Sequence, residues 1–176
     1  MIKLYNIVEN QYKEHSVPSQ ANAYKIGAER LVKIFLKNPT YNTDLVYAIL
    51  HLYQVFVEWR LKEAIRTLHI ALLVGDEFPA YRRLDLLWKK FAELAEKANL
   101  NTNDVSFLKS QEVVMQLSEL EKAALLATFG QIDIVMEVDV IVLAQTMSEM
   151  DTYLSTIENN ITIFGLPNSI ELPLNS

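Results

Sequence analysis

The chain reads as an all-α protein, a five- to six-helix antiparallel bundle around one long central helix. Three observations predict this. First, Leu45 to Val74 contains no glycine or proline. Most of its polar side chains (His51, Gln54, Glu58, Lys62, Arg66 and His69) fall within about 60° of a single line at 100° per residue. Second, most of the remaining circumference is apolar, with Leu52, Tyr53, Phe56, Trp59, Leu61, Leu68 and Leu72. A helix this apolar must be enclosed by others. Third, the 176 residues hold only four glycines and five prolines, which predicts long helices joined by few connections.

Each element follows from local signals. Residues 1–18 are ambiguous, with one short helix ending before Pro18 as the helical reading. A helix starts at Ser19, places Tyr24, Ala28, Leu31 and Phe35 on one face, and stops at Asn38-Pro39, because proline disfavours helix in the residue before it. Thr43 or Asp44 is the expected cap of the central helix, and Gly75 its end. A third helix spans Arg82 to Ala98 and buries Leu84, Leu87, Trp88, Phe91, Leu94 and Ala98. A fourth follows Asp104, with an expected break at Ser118, where Ser118-Glu119-Leu120-Glu121 has the form of a capping box, and with Gly130 closing it. Residues 131–138 partly alternate and are compatible with an extended segment. The last helix runs from Asp139 to Glu158, with Leu143, Met147, Met150, Leu154 and Ile157 at core spacing. The expected organisation is therefore one helical domain over 1–158 and an irregular tail over 159–176.

Composition narrows the functional classes. A net charge of −6 argues against broad, non-specific nucleic-acid binding, which needs a positive field, while leaving room for a local basic patch. The absence of cysteine excludes disulfides, thiolate metal sites and cysteine nucleophiles, and fits a cytoplasmic location. The first residues, interrupted by Glu9 and Glu14, lack the basic-then-apolar order of a signal peptide. The longest uncharged run of the central helix before Glu58 is thirteen residues, Leu45–Val57, short of the ~20 a membrane span needs. Three scattered histidines without an HExxH pairing predict no metal site, and no phosphate loop, dinucleotide fingerprint or nucleophile elbow occurs. No cofactor is expected.

The polar stripe carries two readings. In one it is the solvated edge of a mostly buried helix, with Glu58 and Lys62 in the favourable i,i+4 order. In the other, His51, Glu58, Lys62, Arg66 and His69 face a ligand or partner across a groove or interface. Arg60 projects from the opposite, apolar face, so it must be paired internally, extend along its stem, or meet a partner. Arg66 and His69, three residues apart, are the candidate catalytic pair, since histidine is the usual acid or base near neutral pH. Arg82-Arg83, with Lys89-Lys90 downstream, make a small basic cluster, read either as a solvated helix face or as a phosphate-facing patch. Met147 and Met150 read as core.

Leu52-Tyr53, then Glu58-Trp59-Arg60-Leu61-Lys62-Glu63-Ala64-Ile65, Phe78-Pro79 and Leu84-Asp85-Leu86-Leu87-Trp88 together form a pattern that resembles the HEPN-type helical proteins of bacteria and phages. The resemblance covers roughly residues 45–90 and is looser over 139–158. It departs at the polar positions. Gln54-Val55 stand where the family has Arg-His, and Arg82-Arg83 where it has His followed by Asp or Asn. No arginine here has a histidine at the Arg-x4–6-His spacing of the nuclease members. The resemblance implies a helical bundle, often dimeric, with ties to toxin–antitoxin or anti-phage systems, and it carries no ribonuclease site over to this chain. Glu58, Lys62, Arg82 and Arg83 are where a retained binding surface is expected. The functional expectation is a non-catalytic protein that binds a protein partner, a second copy of itself or an RNA surface, with no membrane and no metal involved. The alternatives are a ribonuclease with a displaced Arg66/His69 site, or an assembly module of a larger complex.

Overall fold

The computed structural model describes residues 20–128 and 138–165, and within them the chain forms five helices and no strand. They are α1 (Gln20–Phe35), α2 (Leu45–Ala71), α3 (Leu84–Lys97), α4 (Val105–Thr128) and α5 (Val140–Phe164). Residues 1–18, Gly130 and the segment 131–137, for which a short helix, a helix end and an extended stretch are expected, lie outside the described residues. None of the described helices is long and apolar enough to cross a membrane.

The long apolar helix is the centre of the fold, for α2 packs against all four other helices, most extensively against α1. Its buried residues Ile49, Tyr53, Phe56, Val57, Leu61, Ala64, Ile65 and Leu68 share one core cluster with Ala21, Ala28 and Val32 of α1 and Leu84, Leu87 and Leu94 of α3. An aromatic cluster extends the core. Trp88 packs against Phe91 (5.3 Å between ring centroids) and Phe107 (5.0 Å), and Phe107 meets Tyr153 edge-on at 6.5 Å. Burying side chains of this size contributes about 3 kcal/mol each at the upper end of the usual range. Met147 and Met150 are fully enclosed in this core.

The helix ends show where local signals prevailed and where they did not. Asp104 and Asp139 cap α4 and α5 as side-chain acceptors, Asp104 from Ser106 N at 2.8 Å and Asp139 from Ile141 N and Val142 N at 2.9 and 3.0 Å. Asp44 makes no such bond. Tight backbone turns take its place, with Leu45 N and Val46 N donating to the carbonyls of Asn42 and Thr43. At Ser118 the expected break is absent, and α4 runs through it. Val113, Val114 and Leu117 bury the same side of the helix as Ser110 and Ser118, so the apolar period is unbroken and packing overrides the capping pattern.

Helix α5 continues six residues past Glu158, because Ile157 and Ile161 prolong its buried stripe. It ends at Gly165, whose φ of 73° is the left-handed conformation glycine adopts without cost. The irregular tail therefore begins no earlier than 165, and not at 159. The positive-φ residue that closes α2 is Leu73 (φ 56°), and Gly75 (φ 127°) follows two residues beyond it. Val74 N donates to the His69 carbonyl and Leu73 N to that of Ile70. The same motif closes α3 with Asn99 in the left-handed position, a residue suited to it.

Candidate functional site

The polar stripe of α2 is a track for the connection that follows the helix. From its turn after Leu72, the chain comes back along the stripe and meets it at three levels. The His69 ring and the Glu77 carbonyl lie 3.3 Å apart, and since a carbonyl only accepts, Nδ1 is the protonated nitrogen in this bond. Next, the Lys62 ammonium sits 5.6 Å from the Trp59 ring centroid and 5.7 Å from that of Phe78, with the two rings 5.5 Å apart and tilted at 42°. Finally, Arg82 Nε reaches Glu58 Oε1 at 3.4 Å. Glu58 also accepts from Lys62 Nζ at 2.7 Å, and both side chains are buried, at 7% and 6% exposure.

This layout settles how the stripe divides. Its middle, Glu58 and Lys62, is a buried ion pair beside the Trp59 and Phe78 rings and not a solvated edge. Its ends differ: His51 and Arg66 are exposed, whereas His69 is buried. Gln54 is half-buried and donates to the Leu117 carbonyl at 3.4 Å, which links α2 to α4.

The structure brings Glu58, Lys62 and Arg82 together and leaves Arg83 apart. Arg83 turns to Asp85, donating through Nε at 3.1 Å and through Nη2, and Asp85 also has Lys122 at 3.9 Å. The hydrogen bond from Arg83, backed by the Leu86 amide and the nearby cations, holds the Asp85 carboxyl below its ordinary range. Arg66 and His69 meet adjacent residues of the loop: Arg66 lies 3.9 Å from Asp76 on the surface, and the buried His69 is bonded to the Glu77 carbonyl. Lys90 lines the far side of the loop instead of joining the two arginines.

A groove of about 320 Å³ opens where the loop ends, lined by Tyr24, His51, Gln54, Glu58, Arg82 and Glu121 among others. His51 and Arg82 share it although they are far apart in sequence. Glu121 enters it from α4, and nothing in its local sequence signals this. The groove mixes one arginine with two carboxylates, so it presents no uniform positive field to a phosphate backbone.

On the opposite face of α2, Arg60 is the hub of an internal network. Its guanidinium donates to Asp151 Oδ1 at 2.9 Å, Glu63 Oε2 at 2.8 Å, Ser155 Oγ at 3.1 Å, and Glu158 at 3.0 and 3.3 Å. Lys25 completes it from α1, 2.7 Å from Asp151. Two cations thus face three carboxylates across three helices. Burial is the largest influence on Glu158 and raises its pKa above the ordinary value, against the lowering effect of Arg60, with Glu63 and Asp151 adding to the rise. For Arg60 burial opposes the charge, but Glu158, Glu63 and Asp151 outweigh it and raise the pKa. Internal pairing accounts for this arginine.

Among the described residues, no three His, Asp or Glu side chains converge as metal ligands would. Comparison of the chain with protein-family models, with curated proteins and with solved structures finds no match.

Proposed function

We propose that this chain is a non-catalytic, HEPN-like helical module that binds a protein partner in the cytoplasm, in prokaryotic or phage defence or its counteraction. The observation that carries the non-catalytic part is the use made of Glu58, whose carboxylate accepts from both Lys62 and Arg82. Polar groups at the positions where a family-type site is expected are spent on holding the loop. Arg66 lies near Asp76 and the His69 ring is bonded to the Glu77 carbonyl, contacts that support a structural use of both residues.

A protein partner is favoured over RNA by charge. Arg82 is offset by Glu58 and Arg83 by Asp85, in a chain of net charge −6. Large exposed apolar side chains, including Leu73, Val74 and Tyr47, offer the contact area that protein recognition uses. The test has two arms. Affinity capture from source cells, followed by reconstitution with the purified partner, should give a stoichiometric complex. Transfer-RNA binding, measured against salt, should be weak and indifferent to Arg82→Glu/Arg83→Glu. Tight RNA binding that falls steeply with salt and is lost in that variant would overturn the proposal in favour of the RNA-surface alternative.

A further inference from the structure

Leu73 is misplaced by every local criterion. It occupies the left-handed conformation at φ 56°, which a leucine adopts at a cost, and it is 90% exposed to solvent. The equivalent position at the end of α3 is Asn99. Ile70 and Val74, near it in sequence, and Phe78 and Tyr81 of the loop that follows are each at least 39% exposed, so the α2 terminus and its loop carry several surface apolar residues. Strain and exposure at one residue are retained where something outside the fold rewards them.

Beside this crest a groove of about 470 Å³ runs between the loop and α3. Its walls include Val74, Phe78, Pro79 and Tyr81 from the loop and Leu94 from the helix. Lys90 and Lys97 line it as well, and with Leu94 between them they share one face of α3, about 10 Å apart along the axis. Neither lysine belongs to an ion pair among the described residues. The groove contains one carboxylate, Glu77, and Glu93 is near enough to Tyr81 to add to the rise in its pKa that burial begins. The loop is held in place from below by Lys62, His69 and Glu58, so the groove is preformed.

We propose that this groove docks an acidic, apolar-anchored segment of the protein partner. The inference rests on the partner-binding reading above. Leucine- or phenylalanine-type anchors fill the space between Phe78, Tyr81 and Leu94, while two carboxylates about 10 Å apart meet Lys90 and Lys97. Leu73 and Val74 extend the apolar contact beyond the groove.

Random peptides displayed on phage, selected against the full chain, test this. The expected result is enrichment of peptides in which Asp or Glu flank apolar anchors. Their affinity should fall by about tenfold or more in Lys90→Glu/Lys97→Glu, since close charge pairs at interfaces are worth at least that much. It should also fall in Leu73→Asn, although that variant melts no lower than the parent. Enriched peptides that are basic, or that bind indifferently to both variants, would overturn the groove and leave partner binding standing. Light scattering supplies a separate arm, in which a dimer dissociated by Leu73→Asn would show that a second copy occupies the face and overturn the proposal. No enrichment of any peptide would overturn the groove, whereas the partner-binding reading falls only if affinity capture from source cells returns no complex.

Discussion

The ammonium of Lys62 lies 5.7 Å from the Phe78 ring centroid, which fastens the loop after α2 to the helix it has just left. The same ammonium pairs with Glu58 beneath, so one buried lysine joins an ion pair to an aromatic roof. Removing one member of a buried pair strands the other charge, at a cost of about 3–5 kcal/mol, whereas removing both with apolar groups of similar size is close to neutral. Arg82 still reaches Glu58 when Lys62 is lost, so chemical denaturation should show Lys62→Met destabilised by about 3 kcal/mol, the low end of that range, and Glu58→Leu/Lys62→Met distinctly less. A double variant as unstable as the sum of its singles would mean that the pair is not coupled.

Phe78→Ala leaves that ion pair in place and removes half of its roof. The expected loss is about 1–2 kcal/mol, the range of a desolvated cation–π contact. Hydrogen exchange should quicken over the connecting loop and leave the core of α2 protected. Uniform loss of protection would show that the loop is part of the global folding unit.

Arg60→Ala removes the guanidinium shared by Glu63, Asp151 and Glu158, leaving Asp151 to Lys25, and is expected to cost about 3 kcal/mol or more. Arg60→Lys should recover only a fraction, since a lysine lacks the planar fork that spans Asp151 and Glu158 together. Thermal melts of the two variants check this, and full recovery by lysine would contradict the role of the fork.

The raised pKa of Glu158 has a defined pH signature. The folded state holds its proton more tightly than the unfolded chain, so ionisation of this group disfavours folding as pH rises from the ordinary carboxylate value of 4.5 through the higher folded value. Relative to Glu158→Gln, the parent protein should lose stability across that window on going from acid towards neutral pH. A difference between the two that grows in the opposite sense would place the Arg60 attraction above the burial cost.

Leu73→Asn tests the strain at the end of α2. Asparagine tolerates the left-handed conformation, and the exposed leucine side chain contributes no burial, so a gain of about 1 kcal/mol is expected. A lower melting temperature would mean that Leu73 packs in solution against some part of the chain.

How far these features were legible in sequence depends on how local their causes are. The central helix, the α3 stripe from Leu84 to Ala98 and the Met147/Met150 core follow from apolar periodicity, which burial enforces at every turn. The need of Arg60 for partners was legible as well, because a charge on an apolar face admits few outcomes. Of its partners, Glu63 is three residues away, but Asp151 and Glu158 lie some ninety residues away and leave no local trace. The capping signals at Asp44 and Ser118 were outweighed by backbone turns and by packing. The readings of the stripe as solvated edge or open site missed its use as a track, since Phe78 and Arg82 reach it only by the path of the loop. Glu121 and His51 share a groove for the same reason.

The measurement that bears most directly on the proposed role is an RNA-cleavage assay on the purified chain, with total RNA and transfer RNA, beside Arg66→Ala/His69→Ala. The non-catalytic reading predicts intact RNA with both proteins. Cleavage by the parent that disappears in the double variant would contradict it and place an active site at the end of α2.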